Sequence, residues 1–246
     1  GPVTVEDSYF KNCVHTAVRV AGENSAVKRT TVVMDAGDWD PRNEVVESTY
    51  DGDARIELNR GIWTQTNTHE KTGPLVEDCD VIIREAPAAI AGIFNQGDCG
   101  GIRLRNSRVQ CDADGVIPIY IDEEWNHDVM NPPYHAQLQN VSVTGTGSDS
   151  PAVLVEGRDG TTIQDCCIHM PNTNGIVFDG TQSGVVEDCD ISTGGEAPVF
   201  LRTHPRSDDR LERLAAEARG EAPALEPLPS ALAALRQDDA SGKPRQ

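Results

Sequence analysis

The feature that most constrains this chain is a six-residue pattern that returns along most of its length. It reads Val5-Glu6-Asp7-Ser8-Tyr9-Phe10, Val76-Glu77-Asp78-Cys79-Asp80-Val81 and Leu104-Arg105-Asn106-Ser107-Arg108-Val109. It returns as Leu138-Gln139-Asn140-Val141-Ser142-Val143, Ile163-Gln164-Asp165-Cys166-Cys167-Ile168 and Val186-Glu187-Asp188-Cys189-Asp190-Ile191, with a weaker copy at Val27-Lys28-Arg29-Thr30-Thr31-Val32. The template is aliphatic, polar, Asp/Asn, small, polar, aliphatic. Successive copies lie 22 (Asp7 to Arg29), 25 (Asn140 to Asp165) and 23 (Asp165 to Asp188) residues apart. The intervals of 28 and 34 between Asp78, Asn106 and Asn140 fit a constant unit carrying inserted loops. A second element precedes each copy: Ala17-Val18-Arg19-Val20, Gly61-Ile62-Trp63-Thr64, Ala89-Ile90-Ala91-Gly92, Val116-Ile117-Pro118-Ile119, Ala152-Val153-Leu154-Val155, Gly175-Ile176-Val177-Phe178 and Pro198-Val199-Phe200-Leu201. Each reads as a short strand of period two, bounded by turn formers.

A unit of ~22 residues with three short strands cannot close a core alone, but stacked units can, each strand pairing with its counterpart ~4.8 Å away. The Asp/Asn position suits a tight bend with positive φ, which these residues tolerate best after glycine. The small residue after it should point inward, so Cys79, Ser107, Cys166 and Cys189 are expected to stack in the core. Leucine-rich repeats need a Leu-x-x-Leu-x-Leu spacing that is absent. The expected fold is all-β: a single-stranded right-handed parallel β-helix of about seven to eight turns over residues 1–206. A helical and disordered tail is expected over 207–246. There Ser207 caps an amphipathic stretch through Arg219, and Pro223, Pro227 and Pro229 break the chain beyond it.

The pattern resembles the pectate-lyase-like superfamily of right-handed parallel β-helix repeat proteins, from residue 3 to about 204, with 35–60 poorly matched. The resemblance implies a secreted or surface protein that acts on or binds polysaccharide. The same scaffold also hosts non-catalytic structural, adhesion and spike-type subunits, so it does not by itself assign an activity. Asp40-Pro41-Arg42-Asn43 is similar to the Asp-Pro-His-Asp motif of alginate-type C5-epimerases, but Arg42 and Asn43 replace its catalytic groups. The polygalacturonase signatures Asn-Thr-Asp, Asp-Asp and Gly-His-Gly are absent.

The charge is −19, from 40 acidic against 21 basic residues. Of the basic residues only Lys11, Lys28, Lys71 and Lys243 are lysine. Acidic residues spread along the whole chain suit a salt-adapted protein, and so negative a field argues against nucleic acid or an anionic membrane as partner. No apolar run approaches the ~20 residues needed to cross a bilayer. The start at Gly1-Pro2, already close to strand-like sequence, reads as a fragment or a processed product. An extracellular or cell-surface location is expected.

Site chemistry concentrates in the insertion from Asp122 to His135. Asp122, Glu123, Glu124, His127 and His135 are the candidate catalytic groups. Trp125 and Tyr134, with Trp63 and Tyr120 from the strands, are the candidate sugar-stacking residues. Paired carboxylates serve either glycoside hydrolysis or a cation such as Ca2+. Asp38-Trp39-Asp40 and Asp51-Gly52-Asp53 form a second acidic cluster. The outward positions of the strands that precede the motif, Arg19, Trp63, Ala91, Pro118, Tyr120, Leu154, Val177 and Phe200, form a mostly apolar stripe. The stripe should be covered by the tail or by another copy of the chain, as in a homo-oligomer. Seven cysteines show no metal signature, though Cys99 and Cys111 flank one repeat and could pair. His169 should face outward, and is read as a lone surface histidine.

Overall fold

The structure, a computed structural model, describes residues 1–13, 15–36, 60–65, 73–86, 89–96, 100–122, 135–181, 183–194 and 199–202. These residues form three parallel sheets of seven strands each. The first contains Thr4–Glu6, Ala26–Lys28, Leu75–Glu77, Arg103–Arg105, Gln137–Gln139, Thr162–Gln164 and Val185–Glu187. The second contains Tyr9–Lys11, Thr31–Asp35, Asp80–Glu85, Arg108–Cys111, Ser142–Thr144, Cys167–Met170 and Asp190–Thr193. The third contains Thr16–Ala21, Arg60–Gln65, Ala91–Asn95, Ile117–Ile121, Val153–Glu156, Ile176–Asp179 and Val199–Arg202. Every strand pairs with its counterpart from the neighbouring repeat, which is the topology of a parallel β-solenoid.

The recurring motif is the joint between the first and second sheets. All seven Asp/Asn/Arg positions, Asp7, Arg29, Asp78, Asn106, Asn140, Asp165 and Asp188, have φ between 46° and 55°. A left-handed residue turns the chain within one step, and Asp and Asn bear that conformation best among residues with a Cβ. The bend does not waste its N–H. Asp7, Arg29, Asp78, Asn106, Asn140 and Asp165 each donate to the carbonyl of the residue before the bend in the next repeat, at 3.0–3.2 Å. Arg29 is the unusual occupant. Its guanidinium holds the Asp7 carboxylate in the preceding repeat through two bonds, 2.7 and 3.0 Å long.

The small residue after the bend has a specific task. Ser8, Thr30, Cys79, Ser107, Cys166 and Cys189 each donate a side-chain proton to the carbonyl two residues back, at 2.7–3.2 Å. Val141 is the exception. Cys79, Ser107 and Cys166 are buried as expected, whereas Cys189 in the last copy is only partly so. Burial pushes the thiols of Cys79, Cys111 and Cys166 upward, to about 11 for Cys111 and about 12 for Cys166. These are packing and capping groups rather than nucleophiles. Cys111 is a free thiol whose S–H points to the Ala113 carbonyl, and Cys99, its candidate partner, lies outside the described residues.

Inward apolar residues stack in columns. In the second sheet Phe10, Val32, Val81, Val109, Val143, Ile168 and Ile191 follow one another in register. In the third, the column is Val18, Ile62, Ile93, Ile119, Val153 and Ile176. Burying each such side chain contributes roughly 1.5–3 kcal/mol. Among the described residues there is no α-helix, and none long and apolar enough to cross a membrane. The chain divides after His204; the tail expected over 207–246 lies outside the described residues.

One third-sheet strand sits out of phase with the expectation. Phe94, not Ala91, aligns with Trp63 and Tyr120, and Ala91 is fully buried. In the next strand Tyr120 faces outward as expected and stands in register with Phe94, while Pro118, two residues earlier in the same phase, is buried. The run from Ala89 to Phe94 carries apolar residues in both phases, so period two alone cannot set its register.

Candidate functional site

The outer face of the third sheet is where the repeats stop resembling one another. Its outward column runs Arg19, Trp63, Phe94, Tyr120, Leu154 and Val177, one residue per repeat. Phe200 occupies the next position in register. Two residues further along each strand a second outward column includes Gln65, Glu156 and Asp179. Asp122 follows Ile121, the partner of Val155, which places it beside Glu156.

The N-terminal half of this face is aromatic and cationic. Phe94 meets Trp63 edge-on at 6.1 Å and Tyr120 at 5.3 Å. The Arg19 guanidinium lies 3.9 Å from the Trp63 ring centre, and that of Arg60 is 4.6 Å from both Trp63 and Phe94. The Trp63 indole N–H donates to Gln96 Oε1 at 3.1 Å, and Arg19 donates to Gln65 Oε1 at 2.6 Å. Burial lowers the Arg60 pKa, the charge of Asp122 opposes that shift, and Arg19 adds to it. Its Nε is buried without a hydrogen-bond partner among the described residues.

Tyr120 joins this half to the acids. Its phenol donates to Glu156 Oε2 at 2.5 Å and lies 3.1 Å from Asp122 Oδ1. Burial first, then the Glu156 hydrogen bond and the Asp122 charge, raise its pKa far above the ordinary tyrosine value. Tyr120 therefore remains a hydrogen-bond donor throughout the physiological range and cannot serve as a phenolate base. Nearby, Arg158 is fully buried, and its Nη2 donates to the carbonyls of Gln96 and Asp122, each at 3.1 Å. A buried guanidinium spent on two backbone acceptors fixes the ends of two adjacent third-sheet strands.

The C-terminal half is a groove of about 570 Å3. Leu154 and Val177 form its apolar floor, and Asp149, Asn172, Asn174 and Asp179 supply polar groups around it. Amides and carboxylates over an aliphatic floor match a ligand with both hydroxyls and C–H faces.

Of the residues singled out from sequence, Trp63, Tyr120 and Asp122 come together on this face. His135 lies elsewhere in its contacts: its Nδ1 is 3.0 Å from the Asp159 carbonyl oxygen. Glu123, Glu124, Trp125, His127 and Tyr134 lie outside the described residues, as does the 38–53 cluster. Phe94, Arg60, Glu156 and Asp179 were not singled out. A signal for the acids was present, since Asp122, Glu156 and Asp179 each follow an inward apolar residue, Ile121, Val155 and Phe178, at the end of their strands.

In comparisons with known proteins, no family model, no curated protein and no solved structure matches this chain. The class rests on the topology itself, that of a parallel β-solenoid.

Proposed function

We propose that this chain is a right-handed parallel β-helix of the pectate-lyase-like kind whose third-sheet outer face binds polysaccharide outside the cell or at its surface. The observation that carries the reading is the groove over Leu154 and Val177, continuous in register with Tyr120, Phe94 and Trp63. Its volume and mixed lining suit one or two sugar rings, with the aromatic column extending the path. A glycosidase needs an acid and a second carboxylate with the scissile bond between them. Here the Tyr120 phenol reaches both Asp122 and Glu156 and takes that place. Catalysis would then fall to Glu123, Glu124 and His127, with Trp125 and Tyr134 as further stacking groups.

The charge of −19 disfavours a polyanionic glycan unless a cation bridges it. Neutral glycans should bind without added metal, and uronate polymers only with Ca2+ held by the acids of this face. The same charge supports salt adaptation: the melting temperature should rise between low and molar KCl as screening relieves self-repulsion. A second reading, a homo-oligomeric structural or adhesion subunit, is favoured by the apolar floor at Leu154 and Val177, which another copy of the chain could cover. Isothermal titration across a panel of neutral and acidic oligosaccharides separates the two readings. Binding that is lost in Leu154→Glu and weakened in Asn174→Ala supports the glycan face. No binding across the panel, with a trimeric mass by light scattering that Leu154→Glu dissociates, supports assembly instead.

A further inference from the structure

We propose that Cys167, His169 and Asp190 form a zinc site on the outer face of the second sheet, independent of the glycan face. Cys167 and His169 are two apart on one strand, so both point outward while Cys166, Ile168 and Met170 point into the core. Asp190 is the in-register partner of Cys167 on the neighbouring strand. The repeat therefore delivers the third ligand 23 residues after the first.

The distances favour one ion. Cys167 Sγ lies 3.6 Å from His169 Nε2, and Asp190 Oδ2 lies 3.2 Å from that same nitrogen. All three donor atoms fall within 4.8 Å of one another. Tetrahedral zinc, with bonds of about 2.3 Å to sulfur and about 2.0–2.2 Å to nitrogen and oxygen, sets S···N near ~3.5 Å and N···O near ~3.4 Å. The side chains already stand close to that spacing.

Two other readings fit less well. In a Cys-His-Asp nucleophilic triad the thiol and the carboxylate engage different ring nitrogens, so that a proton can pass through the imidazole. Here both converge on Nε2, which can meet only one of them through a single proton. A cation in front of Nε2 accounts for both approaches. Ca2+ and Mg2+ prefer oxygen donors alone, in larger number. One thiolate, one imidazole and one carboxylate form a borderline-soft set that suits zinc, with a fourth position open to water. The flanking outward residues Ser142, Thr144 and Ser192 carry no competing charge.

The test is a Co2+ titration of the reduced, metal-free full chain, followed in the near ultraviolet for sulfur-to-cobalt charge transfer. One equivalent should saturate the band, and Zn2+ should displace it. Cys167→Ser should abolish the band, while Cys13→Ser, at another half-exposed thiol, should leave it unchanged. His169→Gln should weaken binding by at least the ~10–100-fold that outer-shell substitutions cost. Because the ion would tie adjacent repeats, Zn2+ should raise the melting temperature of the wild type and not of Cys167→Ser. Absence of the band, or its persistence in Cys167→Ser, overturns the proposal and leaves a surface histidine–carboxylate pair beside a thiol.

Discussion

The bend between the first two sheets and the outer face of the third sheet obey opposite rules. At the bend, every repeat solves one backbone problem in nearly one way: a left-handed Asp, Asn or Arg, then in all but one copy a small donor that caps a carbonyl. On the third-sheet face, nearly every repeat carries a different side chain on the same backbone, from Arg19 through Trp63 and Tyr120 to Leu154 and Val177. Residues that recur in register hold the stack together. Residues that vary in register are free of that duty and can meet a ligand. The contrast separates scaffold from site without reference to any relative.

Substitutions can break this contrast or sharpen it. The largest effect is expected in the inward columns. Ile119→Ala empties a fully buried position and should cost about 2–5 kcal/mol by chemical denaturation. A loss below ~1 kcal/mol would mean that the columns pack loosely. Next come the bends. Asp165→Val forces a β-branched residue to a φ of 53° and should cost about 1–3 kcal/mol, whereas Asp165→Gly should change stability by only a few tenths. Equal losses would show that the Asp165 side chain, not its backbone, matters. Cys166→Ser should cost less than ~1 kcal/mol, because Ser107 shows that a hydroxyl makes the same bond to the carbonyl two residues back. Cys166→Ala, which leaves that carbonyl without its cap, should cost more than the serine variant. The smallest stability effect belongs to the third-sheet face. Leu154→Glu should stay within ~0.5 kcal/mol, as surface changes usually do, while abolishing ligand binding.

The bends were legible because their requirement is local: a positive φ selects Asp or Asn wherever it occurs, and seven copies at related spacings reveal it. Even Arg29 fits the pattern as a copy, although only the structure shows it holding the Asp7 carboxylate. The phase of the Ala91–Asn95 strand was not legible from alternation. Ala89 to Phe94 carries apolar residues in both phases. The dipeptides Gly61-Ile62, Gly92-Ile93 and Gly175-Ile176 would have set it. The glycine is required there: a Cβ at Gly92 would come within 2.8 Å of the Pro118 carbonyl oxygen and 2.7 Å of Ile83 Cδ1. On the site, aromatic residues advertised Trp63 and Tyr120. Glu156 looked like an ordinary strand-end acid, and its bond to Tyr120 joins residues 36 positions apart. His169 reads as solitary in the sequence because its partners are a cysteine two residues away, outside any familiar metal-ligand spacing, and an aspartate from the next repeat.

The variable outer face of the third sheet, and not the repeating faces, is the proposed place where ligand is met. Amide and methyl chemical-shift mapping tests it most directly, using the tightest-binding oligosaccharide of the panel. Shifts are expected at Leu154, Val177 and Asn174, extending to Tyr120 and Trp63, with the second-sheet strands Arg108–Cys111 and Ser142–Thr144 unchanged. Shifts centred on those second-sheet strands, or no oligosaccharide that perturbs any of these positions, would contradict it.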